Sequence, residues 1–448
     1  MSFKQNFIWG VASSSYQIEG AAFEDGKGRS IWDVYSHTPG KTFEGHTGDV
    51  ACDHYHRYKE DIALMADLGV KAYRFSISWP RVIPNGTGEI NEKGLLFYEA
   101  LVDELLKHGI TPYATLYHWD QPYELYKKGG WLNPESPGWF AEYAGVVAGR
   151  LGDRVKHFIT FNEPQVFLGH AFVEGTQAPG YQLPRSETLL MGHHVLLAHG
   201  LASQTLRSIV PEVQIGCAFT SDAAIPVSEK DEDIEAARRV YFEMPESGNW
   251  AWNVSWWSDP IVFGRYPQDG LRLFAKDLPE ITEEDMRIIH QPPDFYGQNI
   301  YRGVHVAAKG DGYEKILDPP GVPKTAIGWP VHFDCLYWGA KFLYERYQIP
   351  IFITENGISG TDWPSLDGKV HDAPRIDYLH RHLLWLERAA REGIDVGGYF
   401  TWGLLDNFEW TLGYSDRFGI VYVDYATQER LPKDSYYWYQ KVIKNNGL

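Results

Sequence analysis

FITFNEP at residues 158–164 and IFITENG at residues 351–357 share one pattern: an apolar, β-branched run of strand length that ends in a glutamate. Bounded by Pro164 and Gly357, each run reads as a strand buried on both faces. Working outward from these two, six more runs of the same character occur, giving eight in all: 7–13, 71–78, 111–118, 157–163, 214–220, 295–301, 350–355 and 396–402. Segments of helical period lie between them, at 53–68, 91–108, 139–155, 187–209, 336–347 and 376–392. In the second, Leu95, Tyr98, Leu101, Val102, Leu105 and Leu106 recur at three- and four-residue steps, as one buried stripe requires. Gly69 and Gly109 follow two of these segments, where a left-handed helix C-cap would sit. Eight strand–helix alternations without a Gly-, Ser- or Pro-rich linker predict one domain over residues 1–448, a single (β/α)8 barrel with elaborated strand-to-helix loops. A doubly wound sheet would carry a Gly-rich phosphate turn after the first strand, and VASSSYQIEG at 11–20 is not one.

Composition narrows the class. The formal charge is -18 over 448 residues, which argues against nucleic-acid and anionic-membrane partners, because both need a cationic face. No apolar run approaches the ~18 residues of a membrane span, and the N-terminal MSFKQNFIWG turns polar too early for a signal peptide. Cys52, Cys217 and Cys335 are odd in number and widely spaced, so no disulfide framework is expected. These features predict a cytoplasmic protein. The 17 Trp, 28 Tyr and 22 Phe are an unusual load. Most suit an aromatic core, but flat rings also stack on the apolar face of a pyranose, so composition makes a sugar ligand a candidate.

In a barrel of this kind, chemistry sits where the strands end. Those ends carry Gln17, Arg74, His118, Asn162, Glu163, Asn299, Tyr301, Glu355 and Trp402. One charged residue closing a strand merely solvates a turn; two glutamates with Arg, His and Asn at neighbouring ends indicate a site. Strands ~4.8 Å apart, tilted by ~36°, close a barrel of roughly 7–8 Å radius, which puts the Cα atoms of strands four and seven about 14 Å apart. Side chains reaching inward leave a gap of about 6 Å, between the ~5–5.5 Å of retaining and the ~6.5–9.5 Å of inverting glycosidases. Spacing therefore points to glycoside hydrolysis and leaves its stereochemistry open.

The phrases SYQIEG, RFSISWPRV, LYHWD, TFNEP, ITENG and LLDNFEW occur here in one order and spacing. On these motifs the chain resembles glycoside hydrolase family 1, from FIWGVASSSYQIEG to SYYWY near the C-terminus. The resemblance implies a retaining β-glucosidase that removes terminal non-reducing β-D-glucosyl residues from cellobiose, short cello-oligosaccharides or aryl glucosides. It implies Glu163 as acid/base and Glu355 as nucleophile, supported by Arg74, Asn299 and Tyr301. It further implies Gln17, His118, Asn162, Glu409 and Trp410 on the sugar hydroxyls, Trp402 beneath the ring and Trp329 as a platform for the leaving group. No cofactor and no metal are implied; the partner is a small glycoside, and a homo-oligomer is compatible. Departures from the family pattern occur at Gly403, where Ser is common, and at Gln121, Tyr123 and Gln177 in loops on the leaving-group side.

Other features carry less. His54 and His56 form an H-x-H that opens a helix instead of ending a strand, which argues against a metal pair. His193, His194 and His199 read as helix packing, and EKDEDIEAARR at 229–239 as a solvated helix start. A 6-phospho-β-glycosidase on the same scaffold is the near alternative, and a non-catalytic sugar-binding relative the distant one.

Overall fold

The computed structural model describes residues 3–448. Eight parallel strands close into a barrel: β1 (Ile8–Ala12), β2 (Ala72–Ser76), β3 (Thr111–Tyr117), β4 (His157–Asn162), β5 (Gln214–Thr220), β6 (Phe295–Asn299), β7 (Ile351–Asn356) and β8 (Val396–Trp402). Seven lie within the runs read from the sequence, and β7 passes the end of its run by one residue, Asn356. Closure runs through β1, where Val11 is opposite Tyr73 of β2 on one side and Thr401 of β8 on the other.

One principal helix follows each strand: α1 (His54–Leu68), α2 (Glu92–Lys107), α3 (Ser136–Leu151), α4 (Arg185–Ile209), α5 (Asp231–Phe242), α6 (Cys335–Tyr347), α7 (Ala373–Arg391) and α8 (Asp434–Asn445). The acidic run at 229–239 does open α5, with Asp231, Glu232 and Asp233 in its first turn, where carboxylates favour the helix dipole. Gly69 and Gly109 have φ of 84° and 71°, and Gly69 donates to the carbonyls of Met65 and Ala66, so α1 ends as expected. In α2 the stripe is narrower than the sequence suggests. Leu95, Tyr98, Leu101, Val102 and Leu105 are buried, but Leu106 is 41% exposed, having rotated past the barrel wall.

The helix-to-strand turns are short, such as residues 69–71 and 108–110, whereas the opposite loops are long, the one from β1 to α1 covering residues 13–53. That asymmetry builds all the extra structure at one mouth. The loop after β6 begins with the strand Gly303–Lys309, which pairs with Ala223–Pro226 and Gly312–Ile316 in a small separate sheet.

The opposite end of the barrel is plugged. Tyr113, Phe295, Phe352 and Phe400 pack against one another, with the His157 ring stacked on Tyr113 at 4.2 Å. Such rings fit because small residues face them: a Cβ added at Gly10 would lie 2.4 Å from the Phe400 ring. Three cysteines, Cys52, Cys217 and Cys335, are free and buried. Among the described residues no helix is long and apolar enough to cross a membrane.

If the floor is as tightly packed as this, Gly10→Ala should destabilise the fold by about 1–3 kcal/mol through overpacking. The urea midpoint of the variant checks it, with an unchanged m-value expected.

Candidate active site

Both glutamates stand at the mouth, and each is presented by an irregular strand. Between Ile159 and Asn162, β4 takes three residue steps where β5 takes two, from Gly216 to Ala218. Between Ile353 and Asn356, β7 likewise takes three steps against two in β8. An extra residue of this kind re-aims the side chains that follow it. Glu163 then leaves β4 in a left-handed conformation, φ 49° and ψ 67°, as N-cap of the short helix Pro164–Leu168. Pro164 disfavours the right-handed helical region for the residue before it. Trp119 and Trp410, which line the same cleft, also have positive φ. Each of these three positions carries backbone strain of about 1–3 kcal/mol.

A continuous hydrogen-bond network joins the strand ends. Arg74, fully buried on β2, donates to Glu355 Oε1 at 2.6 Å and to Asn162 Oδ1 at 2.6 Å. Asn299 Nδ2 donates to the same Asn162 oxygen at 2.9 Å and to Glu163 Oε1 at 2.7 Å, while Asn299 Oδ1 accepts from Thr354. Tyr301 donates to Glu355 Oε2 at 2.7 Å. Because Asn162 Oδ1 accepts twice, its Nδ2 must be the group 3.0 Å from His118 Nε2, and that nitrogen must accept. His118 therefore carries its proton on Nδ1, a buried donor without a partner among the described residues. Burial, helped by the Arg74 charge, holds this imidazole well below the ordinary histidine range, hence neutral.

Gln17, on the short helix Ser15–Ile18, donates to Asn407 Oδ1 at 3.0 Å, to the Phe408 carbonyl at 2.8 Å and to Glu409 at 3.5 Å. The Asn407–Trp410 loop is pinned from below by Asp406, which accepts from Lys433 at 2.7 Å and Arg417 at 2.8 Å. The Trp402 and Trp410 rings both lie near-parallel to His118, at 5.9 and 5.8 Å. Trp329 is on the other side of the cleft, 5.3 Å from the Tyr301 ring, with the Arg302 guanidinium over its face.

Burial pushes Glu163 well above the usual carboxylate range, and the Glu355 charge adds to it. Burial raises Glu355 too, but Arg74 and the Tyr301 hydroxyl oppose it, so Glu355 is the first of the pair to ionise. Glu409 is pushed up to about 8 by burial and by the charges of Asp416 and Glu355. It is protonated at neutral pH in the free protein, a state that its position in the sequence does not reveal.

All the residues named from the sequence thus gather at one mouth, and a cleft of about 730 Å3 opens there between Glu163, Glu355, Trp402, Glu409, Trp410 and Trp329. Its lining also includes Trp119, Trp252 and Phe418, which the sequence reading did not name. Trp119 adjoins His118 in LYHWD and was within reach of that motif. Trp252 and Phe418 carry no signal, because they arrive from loops far along the chain. Of the three departures on the leaving-group side, only Gln177 lines the cleft. Gln121 is buried, and its carbonyl accepts from Ile31; Tyr123 faces Arg29 and Lys127.

The histidines of the H-x-H and of α4 are held by neighbouring groups. His54 binds Asp61 at 2.7 Å and His56 binds Asp53 at 2.6 Å, since two residues along a helix turn side chains about 200° apart. His193, His194 and His199 contact Tyr266, the Trp131 carbonyl and Thr160.

The profile of the family described as Glycosyl hydrolase family 1 matches residues 1–448. The chain belongs to that family. It is 48% identical over 451 residues to Beta-glucosidase A of Thermotoga maritima, covering 100% of this chain and 98% of that protein. The Thermotoga maritima β-glucosidase in complex with glucoimidazole superposes with a TM-score of 0.91 at 48% identity, covering 100% of each chain. A further relative, the aryl-phospho-beta-D-glucosidase BglC of Bacillus subtilis, is 42% identical over 480 residues, covering 100% of this chain and 98% of that protein.

Glu409 yields a prediction about stability. Its folded pKa of about 8 lies above the ~4.3 of an unfolded glutamate. Between these values the folded chain holds the proton and the unfolded chain does not, so stability falls as pH rises through this window and levels off above it. Glu409→Gln removes that penalty. The variant should gain nothing near pH 4 and roughly 2–5 °C in Tm at pH 8.5, read by calorimetry at both pH values.

Proposed function

We propose that the protein is a retaining β-glucosidase that hydrolyses terminal non-reducing β-D-glucosyl residues of cellobiose, short cello-oligosaccharides and aryl glucosides. The observation that carries this reading is the unequal environment of the two glutamates across one cleft. Glu163 keeps its proton, with Asn299 orienting it, and donates that proton to the departing glycosidic oxygen. Glu355, held by Arg74 and Tyr301, ionises first and attacks the anomeric carbon. In the glycosyl-enzyme the Glu355 charge is gone, so the pKa of Glu163 falls and it takes a proton from the incoming water. His118 Nδ1–H and Glu409 meet sugar hydroxyls, and Trp402 lies beneath the ring.

Glu355→Ala should abolish turnover of every glycoside. Glu163→Ala should keep the first step on 2,4-dinitrophenyl β-glucoside, whose leaving group needs no proton, and azide should accelerate its second step. Equal failure of both variants, with azide restoring neither, would refute the assignment.

The sugar end of the cleft also bears on the phosphorylated alternative. There the charges of Asp416 and Glu355 already hold the proton on Glu409, and a phosphate dianion would add further negative charge beside those two carboxylates. Such juxtaposition costs several kcal/mol. Among the described residues one arginine lines the cleft, Arg302, and it is already paired with Asp222 at 2.7 Å. Cellobiose and aryl β-glucosides should therefore be cleaved well and their 6-phosphates poorly or not at all. Glu409→Ala should lower kcat/KM on the glucosides by roughly a hundredfold, or ~2.7 kcal/mol of transition-state binding. Steady-state rates on the paired substrates decide it, and a preference for the 6-phosphate would reverse the conclusion.

A further inference from the structure

Outside the cleft, three side chains of the loop between β6 and α6 converge on one point. Asp318 Oδ1 is 2.9 Å from His332 Nε2 and 3.8 Å from His305 Nδ1, and the three ligand atoms all lie within 4.8 Å of one another. His305 comes from the strand Gly303–Lys309, Asp318 from the segment after the small sheet, and His332 from just before α6. The two imidazoles meet edge to face, centroids 4.7 Å apart at 77°. None of the three lines the cleft.

The hydrogen bonding makes this more than a surface cluster. His332 Nδ1 is 2.9 Å from the Gly303 carbonyl, which can only accept, so that nitrogen carries a proton. In the neutral ring, Nε2 then turns a lone pair on a carboxylate oxygen, two acceptors in contact. Either a proton or a cation must stand between them. A proton joins two atoms, whereas here a third possible ligand atom, His305 Nδ1, lies 3.8 Å from the same oxygen. An imidazole fixed by a backbone carbonyl through its other nitrogen is also how metal-ligating histidines are oriented.

We propose that His305, Asp318 and His332 bind one divalent transition ion of the zinc class. Two nitrogens and one carboxylate oxygen suit zinc, cobalt or nickel and not calcium or magnesium, which take oxygen shells. Ligand atoms on a tetrahedral zinc lie about 3.3–3.4 Å apart for bonds of ~2.0–2.1 Å. The two distances to Asp318 Oδ1, 2.9 and 3.8 Å, bracket that value, and all three ligand atoms lie within 4.8 Å of one another, so local side-chain adjustment completes the site. Asp318 and His305 are 26% and 34% exposed, which leaves an entry path and a fourth position for water. The ion ties Asp318 to His332 across the segment that carries Trp329, whose carbonyl and amide both bond Thr325. It therefore braces the leaving-group platform and takes no part in bond cleavage.

The test is calorimetric titration of the EDTA-stripped, dialysed full-length protein with zinc chloride, alongside cobalt chloride followed by visible absorption. One zinc per chain at micromolar affinity or tighter is expected, with cobalt giving the intense bands of a tetrahedral site. His305→Ala, at a half-exposed position that folding should tolerate, and His332→Ala should each weaken binding by roughly a hundredfold or more, the upper end of the effect of losing even an outer-shell partner. Zinc should raise the Tm of the wild type and not of His305→Ala. Glu355→Ala should bind zinc like the wild type, which separates this result from the fate of the proposed reaction, and His56→Ala should be unaffected. No stoichiometric uptake at millimolar zinc, or uptake unchanged in His305→Ala, overturns the proposal and leaves an imidazolium–aspartate pair.

Discussion

One buried guanidinium sets the electrostatics of the mouth. Arg74 is fully enclosed on β2, Glu163 and Glu355 are almost as deeply buried around it, and a third carboxylate, the partly buried Glu409, lines the same cleft. A single positive charge balances one of them, and charges left unbalanced in a dry interior are costly. Arg74 touches Glu355 directly, so Glu355 takes the ionised role and the other two hold protons. The same guanidinium fixes the Asn162 amide, which fixes the His118 tautomer, which leaves a donor facing the cleft. Replacing Arg74 would therefore disturb the proton position of His118, to which it makes no hydrogen bond of its own.

The backbone serves the same end. An apolar run alone would deliver its last residue along the strand axis, and both glutamate-bearing strands instead gain one residue just before the mouth. The rest of the barrel is closed and densely packed, so it can hold a few strained positions in place. The positive φ values at Trp119, Glu163 and Trp410 all fall on residues that line the cleft.

Much of this was legible in the sequence, for a physical reason: strands buried on both faces must be apolar throughout, so the eight runs stand out from the helices between them. The glutamates were legible because two carboxylates closing two such runs bring like charges to one mouth, which a barrel gains nothing from unless they act there. Features that depend on neighbours distant in sequence were not. Leu106 fits the stripe of α2 by period but overshoots the barrel wall. The charge state of Glu409 depends on Asp416 and Glu355, and no local pattern encodes it. Trp252 and Phe418 reach the cleft only through the folding of long loops. Gln121 and Tyr123 look like cleft residues by position, yet they brace the loop behind it.

The aromatic floor of the barrel has a kinetic meaning. Tyr113, Phe295, Phe352 and Phe400 close the end opposite the mouth, so the cleft has one door. Whatever binds deepest must leave last. In a two-step displacement the leaving group, nearest the opening, departs first and makes room for water, while the sugar stays behind until its bond to the enzyme is broken. The released monosaccharide then blocks the next substrate until it diffuses out by the way it came. Product exit and substrate entry therefore share one route, whose width is set by side chains at the rim and not by either glutamate.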